Sequence, residues 1–149
     1  MLRISRRIDY AVRVMVSLAL HAEEGPHPMQ EIVQEMLIPL PFVKRIVADL
    51  VQAGLVRSRR GSKGGLWLAR NPEEISLLDI VEACDEPMEI SPCIDDSDFC
   101  PLSAECPVRR RWARLRSVMR QELGSVSIAQ LARESVSHEV RLKDAARSV

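Results

Sequence analysis

The stretch IPLPFVKRIVADLVQAGLV, residues 38–56, decides the fold that we predict for this chain. Its apolar residues recur at three- and four-residue intervals, which predicts a helix from Pro41 to Gln52 that ends at Gly54. A shorter helical segment, MQEIVQEM at residues 29–36, comes before it, and the turn LIPL separates the two. A short helix, a tight turn and a longer helix with basic residues near its start are typical of a helix-turn-helix.

A β-hairpin with a basic tip is predicted directly after this motif. Two short apolar-bearing runs, residues 55–59 and 66–69, flank the glycine-rich segment RGSKGG at residues 60–65. A helix-turn-helix followed by such a hairpin is a winged helix, whose third helix enters the major groove of DNA while the hairpin, the wing, approaches the backbone or minor groove. Basic residues on a hairpin can also form a merely solvated surface, but their position beside a helix-turn-helix favours DNA contact. The residues in question are Arg57, Arg59, Arg60 and Lys63, with Gly61 at the tip.

Two further helices complete the predicted head. Residues 5–22 carry apolar side chains at helical intervals on one face, which predicts the first helix of the chain. Ser76 and Asp79 match a capping box, so another helix is predicted to begin at Leu77 and to run to about Cys84. Cys84 falls on the apolar face of that helix, and we interpret it as a buried core thiol rather than a metal ligand.

The segment PCIDDSDFCPLSAECP, residues 92–107, places Cys93, Cys100 and Cys106 within fourteen residues. Its prolines interrupt helices and strands, and the polar residues between them cannot build a packed core, so metal ligation by the thiolates would give the loop a reason to order. The spacing is wider than the two-residue chelate of a zinc ribbon and favours an iron-sulfur cluster. Three cysteines leave one coordination position for another ligand.

Two other interpretations of this loop stay open. A structural zinc ion would use the three cysteines with His27 or His138, and a thiol switch would join two of the cysteines in a reversible disulfide. A hard-metal site at the acidic run, Asp95, Asp96 and Asp98, is less favoured because acidic runs in loops are usually solvated.

A long helix is predicted over residues 108–123, with an apolar stripe at alternating four- and three-residue steps. The stripe must be buried against another surface, and a two-fold homodimer would provide it. The alternative is that the helix packs onto the first helix of the same chain. Both arrangements can occur together. Gly124 is predicted to end this helix before a short terminal helix. The residues of the stripe are Val108, Trp112, Leu115, Met119 and Leu123.

Composition and charge limit the function classes. The net charge is zero, but residues 1–70 hold eleven basic and six acidic side chains, residues 71–106 hold eleven acidic and no basic ones, and residues 107–149 hold ten basic and four acidic ones. The basic N-terminal region suits nucleic-acid binding. No apolar run reaches the roughly 18 residues of a membrane span, and no catalytic pair or phosphate loop occurs, so we expect a cytoplasmic protein that is not an enzyme.

The predicted fold class is mostly α with a small β-hairpin wing, a winged helix-turn-helix head followed by a long dimerisation helix. Residues 1–84 are expected to form the head and residues 85–107 the cysteine-rich cluster-binding loop. Residues 108–134 are expected to form the dimerisation helix and a short terminal helix, followed by a flexible tail at 135–149.

Several of these segments together resemble bacterial winged-helix iron-sulfur transcriptional regulators of the IscR, NsrR and RirA group, over roughly residues 1–132. They are IDYAVRVMVSLA at residues 8–19, the helix-turn-helix at 38–56, RRGSKGGLWLAR at 59–70, SLLDIVEA at 76–83 and the three-cysteine loop. The resemblance implies a homodimeric transcription factor, a repressor, whose iron-sulfur cluster senses nitric oxide, iron or redox state. Its partner would be double-stranded DNA with a pseudo-palindromic operator.

The resemblance also implies roles for single residues. Cys93, Cys100 and Cys106 match the cluster cysteines, whereas Arg109 stands where the branch similar to IscR has a histidine ligand. Asp9 matches the aspartate that completes a four-iron four-sulfur cluster from the other subunit in the branch similar to NsrR, so this cluster is favoured over a two-iron one. The positions that match DNA contacts are Lys44 and Arg45 at the start of the recognition helix and Arg60 in the wing, and Pro41, where that helix begins, is also expected to lie at the DNA-binding surface.

Overall fold

The computed structural model describes residues 4–84 and 89–136. Within these residues there are six helices and one antiparallel two-stranded sheet, which confirms the predicted fold class. The helices are α1 (Arg6–Leu20), α2 (Met29–Met36), α3 (Leu40–Gln52), α4 (Leu77–Ala83), α5 (Pro107–Ser125) and α6 (residues 128–136), and the strands are β1 (Val56–Arg59) and β2 (Gly65–Leu68). Single 3-10 turns occur at Pro72–Glu74, Pro92–Ile94 and Ser97–Phe99.

The core of the head forms around α1, because its apolar face meets α2, α3, α4 and β2. Ser5 caps this helix by accepting a hydrogen bond from the backbone NH of Ile8. The side chains of Met15, Ile32 and Leu50 are fully buried together in this core. Truncating one such side chain to alanine typically costs about 2–5 kcal/mol, so these contacts set the relative positions of the helices.

The termini of the head helices largely follow the predictions. Gly54 lies just beyond α3 with a φ of 72°, which confirms it as the C-terminal stop. The capping box of α4 is confirmed: the Ser76 hydroxyl accepts from the Asp79 NH, and the Asp79 carboxylate accepts from the Ser76 NH. Cys84 is fully buried, as predicted for a core thiol.

The prediction that Gly124 ends the long helix is wrong, since α5 continues through this residue to Ser125. Gly124 is not among the glycines of positive φ, so it keeps the helical conformation that its neighbours have. The chain then turns back to the head, where the Ile128 NH donates to the Ile75 carbonyl at 2.8 Å and the Leu77 NH donates to the Val126 carbonyl at 3.0 Å. The side chain of Ile128 is fully buried, so α6 packs against the head.

Helix α5 packs mainly on α4 and on the 3-10 turn at Pro92–Ile94, and not mainly on α1 as the alternative interpretation had it. None of its residues is buried, although Leu123 packs against the core at its C-terminal end. In the described part of the chain, no helix is both long enough and apolar enough to cross a bilayer.

Candidate DNA-binding surface and cysteine loop

Helix α3 presents a basic face at its start. Lys44 and Arg45 are exposed, as is Pro41 in the first turn, while Val43, Ile46, Val47 and Leu50 turn inward to the core. On the same helix the Asp49 carboxylate accepts a hydrogen bond from the Arg7 guanidinium of α1 at 2.7 Å. This half-buried ion pair, which periodicity could not predict, joins α3 to α1 and helps to set the direction of its basic face.

The wing is an antiparallel hairpin in which Val56 pairs with Leu68 and Arg59 with Gly65. Gly61 lies at the tip with a φ of 109°, a backbone conformation that favours glycine. The Arg59 guanidinium donates to the Lys63 carbonyl at 2.9 Å, so it crosses the tip and supports the turn. Arg57, Arg60 and Lys63 are exposed, and their cations are available to a ligand alongside the wing.

The cysteine loop contains two 3-10 turns, contrary to the expectation of a segment without regular structure. Cys93, Cys100 and Cys106 are half-buried free thiols. An open pocket of about 460 Å³ has Cys100, Ser103 and Arg109 among its lining residues. The buried Ser103 hydroxyl has no hydrogen-bond partner among the described residues. Three free thiols in one loop, with Cys100 lining the same pocket as the unsatisfied Ser103 hydroxyl, fit a thiolate-ligated metal centre, which prefers soft sulfur donors.

The three thiols are not drawn into one tight group in this structure. Among the described residues, the set of three potential ligand atoms lying within 4.8 Å of one another comes from His21, His27 and Glu35. His27, which the zinc interpretation offered as a fourth ligand, therefore has a histidine and a glutamate as its nearest ligand neighbours, and no cysteine. His138, the other candidate, lies outside the described residues.

Arg109, which stands where the branch similar to IscR has a ligand histidine, contacts the loop through its guanidinium. Its Nε donates to the carbonyl oxygen of Cys93 at 2.5 Å and its Nη2 donates to that of Ile94 at 3.2 Å. The Ser91 hydroxyl lies 3.1 Å from the Cys93 thiol. The backbone around Cys93 is thus held by the first turns of α5.

The acidic run is partly bound by protein groups. The Asp95 carboxylate accepts two hydrogen bonds from one guanidinium nitrogen of Arg116, at 2.5 and 2.6 Å. Asp96 accepts from the Asp98 NH at 2.9 Å and so supports a local turn. Asp95 is therefore paired with α5 rather than merely solvated, and the run does not form a hard-metal site among the described residues.

Asp9 lies on the exposed side of α1, where its carboxylate pairs with Arg13 one turn later at 2.9 Å. Both side chains remain about half exposed, at 49% and 46% respectively. Such an exposed pair is weak, because solvent screens it and two long side chains must be ordered. The carboxylate can therefore leave Arg13 at little energetic cost.

The apolar stripe of α5 is largely uncovered within one chain. Val108 is 52% exposed and Trp112 41% exposed, whereas Leu115, Met119 and Leu123 are partly buried. The stripe is therefore most accessible in the half of α5 that follows the cysteine loop.

A polar cluster at the turn between α1 and α2 was not predicted from the sequence. His21 stacks on the buried His27, and both rings face Glu35 of α2. Hydrogen bonding to Glu24 raises the pKa of His21 against the effect of burial, and Glu35 adds to the increase. Burial opposes the ionisation of Glu35, but hydrogen bonds with Ser17 and His21 outweigh it and hold its pKa below the usual range. The sequence signal was two histidines on either side of a turn, followed by acidic residues four and eight positions after His27.

The helix-turn-helix, the basic wing and the long helix that follows define the class of protein as a winged helix-turn-helix DNA-binding regulator of transcription. A family model described as "Rrf2: Iron-dependent Transcriptional regulator" matches residues 4–134. The chain belongs to the Rrf2 family, as its resemblance to the IscR group had indicated.

Relatives and solved structures agree with this membership. The chain is 32% identical over 130 residues to the HTH-type transcriptional regulator IscR of Aliivibrio salmonicida, covering 87% of this chain and 77% of the relative. A structure of T. potens IscR is 28% identical with a TM-score of 0.72, covering 90% of this chain and 88% of that one. CymR, the global cysteine regulator of B. subtilis, is 30% identical with a TM-score of 0.71, covering 90% of this chain and 98% of that one. Since these relatives are regulators, the chain is not an enzyme.

Proposed function

We propose that this DNA-binding regulator is a homodimeric repressor that senses nitric oxide, iron or redox state through an iron-sulfur cluster. Cys93, Cys100 and Cys106 would hold the cluster, with Asp9 of a second copy of the chain as the fourth ligand. A four-iron four-sulfur cluster is favoured over a two-iron one. The observation that carries the proposal is that a loop without a core of its own holds three half-buried free thiols, of which Cys100 lines the same pocket as the unpartnered Ser103 hydroxyl.

The chain's own contacts suggest how the loop communicates with DNA. Arg109 and Arg116 hold the loop backbone and Asp95 against α5, while Arg120 pairs with Glu82 of α4. When bound, the cluster would supply iron that reacts with small oxidants or nitric oxide, and its thiolate ligation would order residues 92–107. Any change in the order of this loop would then alter the angle between α5 and the head.

That angle matters because two-fold related heads meet two half-sites on DNA. The exposed stripe of α5, with Val108 and Trp112 in its most accessible half, would form the dimer interface. Half-sites lie about one helical turn, roughly 34 Å, apart, so small rotations change whether both recognition helices fit. Lys44 and Arg45 of α3 would contact bases, and Arg60 would enter the minor groove. The regulator would act in the cytoplasm, where bacterial DNA lies.

A thiol switch is the second candidate function for the same cysteines. It is favoured by the free, half-buried thiols and by the similarity to a protein described as a global cysteine regulator. In this case oxidation of two loop thiols would form a disulfide, with two electrons and two protons passing to the oxidant. A structural zinc would hold the same cysteines without a sensing role.

Anaerobic purification followed by visible absorption spectroscopy and by iron and sulfide analysis distinguishes these functions. We expect a brown protein with about four irons per chain, and loss of the colour in a Cys93→Ala variant. Cys84→Ala is the matched control, because it removes the buried core thiol and should leave the colour unchanged. A colourless protein that resists anaerobic reconstitution would contradict the cluster proposal and leave the thiol switch or zinc.

A further inference from the structure

The cluster at the turn between α1 and α2 brings three potential metal ligands together, at some distance in sequence from the cysteine loop. The His21 Nε2 lies 3.2 Å from Glu35 Oε1, and the His27 Nε2 lies 3.4 Å from Glu35 Oε2. The two imidazole rings are stacked, with centroids 4.1 Å apart and an angle of 16° between their planes. Both Nε2 atoms therefore face the same carboxylate. One potential ligand atom from each of the three residues can be chosen so that all three lie within 4.8 Å of one another.

The two distances from histidine nitrogen to Glu35 oxygen are close to the separation between two ligand atoms in a tetrahedral zinc site. Zinc binds imidazole nitrogen and carboxylate oxygen at about 2.0–2.2 Å. Two ligand atoms at that distance from a tetrahedral centre are separated by about 3.3–3.6 Å. The separations of Glu35 from His21 and His27 lie at or close to this range, but they involve different carboxylate oxygens and the two rings are stacked, so binding one ion requires rotation of the imidazole rings and the carboxylate.

The outer contacts of the cluster are those that metal-binding histidines usually have. The Nδ1 of His21 lies 2.9 Å from Glu24 Oε2, and the Nδ1 of His27 lies 3.5 Å from Glu31 Oε2. The buried Ser17 hydroxyl donates to Glu35 Oε2 at 2.6 Å. A carboxylate on the far nitrogen fixes the ring orientation and makes the near nitrogen a better donor, and the hydroxyl orients the carboxylate.

We propose that His21, His27 and Glu35 form a binding site for a divalent cation of the zinc class, with water in the fourth position. Two imidazoles and one carboxylate form a ligand set of intermediate softness that suits Zn²⁺ better than Mg²⁺ or Ca²⁺. The neighbouring Glu24 and Glu31 add negative charge that attracts a cation. This site is separate from the cysteine loop and does not depend on a cluster there.

The position of the site connects it to the wing. The His27 NH donates to the Leu66 carbonyl of β2 at 2.8 Å, and the Leu66 NH donates to the His27 carbonyl at 2.9 Å. The backbones come so close that a Cβ on Gly65 would lie 2.8 Å from the His27 carbonyl oxygen. A cation bound to His27 would thus make the support of strand β2 more rigid and reduce the mobility of the wing.

The test uses the full-length chain with Cys93→Ser, Cys100→Ser and Cys106→Ser, so that loop thiols cannot bind the probe. After chelator treatment, Zn²⁺ is titrated by competition with a chromophoric chelator, and Co²⁺ is used to report geometry by visible absorption. We expect one Zn²⁺ per chain, a tetrahedral Co²⁺ spectrum without thiolate charge-transfer bands, and a rise in the midpoint of thermal unfolding with zinc concentration.

Single substitutions in this background decide whether the named residues hold the ion. Glu35→Gln and His21→Gln should each weaken zinc binding by at least about 100-fold, and Glu24→Gln by about 10–100-fold as an outer partner. Glu23→Gln is the matched control, because it removes an exposed neighbouring charge that makes no contact with the cluster atoms. Circular dichroism checks that each variant is folded. If Glu35→Gln does not fold, the zinc affinity of His21→Gln decides whether the named residues hold the ion.

Two results would overturn the site. The first is a folded chain without the three loop cysteines that binds no zinc, which would mean that the cluster is only a hydrogen-bonded network. The second is zinc affinity that stays within about twofold in both Glu35→Gln and His21→Gln, which would mean that the ion binds elsewhere. Neither result would affect the cluster proposal, because the loop cysteines are absent from the test protein.

Discussion

The Arg109 side chain donates from its Nε to the carbonyl oxygen of Cys93 at 2.5 Å, which joins the first turn of α5 to the cysteine loop. An arginine side chain that holds the backbone beside a thiol can position that thiol without touching a metal. The residue that stands in place of a ligand histidine is therefore a positioning residue for the loop.

Removing this contact should loosen the loop. In Arg109→Ala we expect the amide of Asp96, which donates to the Pro92 carbonyl, to exchange hydrogen about 30-fold faster, because hydrogen bonds to charged groups contribute about 1.5–3 kcal/mol. Hydrogen-exchange mass spectrometry of residues 92–99 measures this. Arg110→Ala removes the adjacent exposed arginine and should leave exchange unchanged. Equal rates in the two variants would mean that the contact does not order the loop.

The role of Asp9 as a cluster ligand leads to a different test. Asp9→Ala should leave an iron-sulfur cluster bound by three thiolates but make its loss to an iron chelator at least about tenfold faster, because one anionic ligand is missing. The decay of visible absorption measures the rate. Arg13→Ala is the matched control, since it breaks the Asp9–Arg13 pair and keeps the carboxylate. If Asp9→Ala and the wild type lose iron equally fast, Asp9 is not a ligand.

The wing should contribute to the salt dependence of DNA binding. Arg60→Ala is expected to weaken binding and to reduce the slope of log affinity against log salt by about one unit, because one cation near the phosphates is lost. Fluorescence anisotropy with a duplex enriched from a randomised pool by the wild type measures both. Arg114→Ala removes the same charge from α5 and should keep the slope. An unchanged slope in Arg60→Ala would exclude a groove contact by this residue.

The exposed stripe of α5 leads to a prediction about assembly. Trp112→Asp should raise the dimer dissociation constant at least about 30-fold, because buried aromatic residues at interface centres commonly contribute 2 kcal/mol or more. Sedimentation velocity across a concentration series measures the constant. Ser117→Asp introduces the same charge on another face of the helix and should leave it unchanged. Dimers of equal strength in both variants would exclude this stripe as the interface.

The ion pair between Arg7 and Asp49 should contribute to the stability of the head. Asp49→Asn is expected to lower the free energy of unfolding by about 1 kcal/mol, since a half-buried ion pair becomes a weaker hydrogen bond from the Arg7 guanidinium to a neutral amide oxygen. Urea denaturation measures the loss. Glu74→Gln, at an exposed acidic residue, should stay within about 0.5 kcal/mol of the wild type. If Asp49→Asn also stays within about 0.5 kcal/mol of the wild type, solvent already screens the ion pair.

Local sequence signals were sufficient for most of the secondary structure, but not for the two 3-10 turns of the cysteine loop. The helical interval of apolar residues predicted α1 and α3, and the Ser76–Asp79 pattern predicted the start of α4, because caps and amphipathic faces depend on residues within one or two turns. Gly124 is another exception. A glycine that ends a helix commonly adopts positive φ, and Gly124 does not, so α5 continues through it to Ser125.

The roles of single residues at the site could be predicted less fully from the sequence. The exposed positions of Lys44, Arg45 and Arg60 follow from helical and hairpin periodicity and agree with the prediction of a basic DNA-binding face. That Arg59 turns back to the Lys63 carbonyl could not be predicted, because an arginine at a hairpin tip has many rotamers of similar energy.

The sequence by itself determined the winged head, the cysteine loop and the apolar stripe of α5, since each depends on residue types at short spacing. Only the tertiary structure decided which distant groups meet: Arg7 with Asp49, Arg109 with the Cys93 carbonyl, and His21 and His27 with Glu35. The physical reason is that polar contacts between separate elements depend on how those elements pack. Packing sums many weak apolar contacts along the chain, and no short segment contains that information.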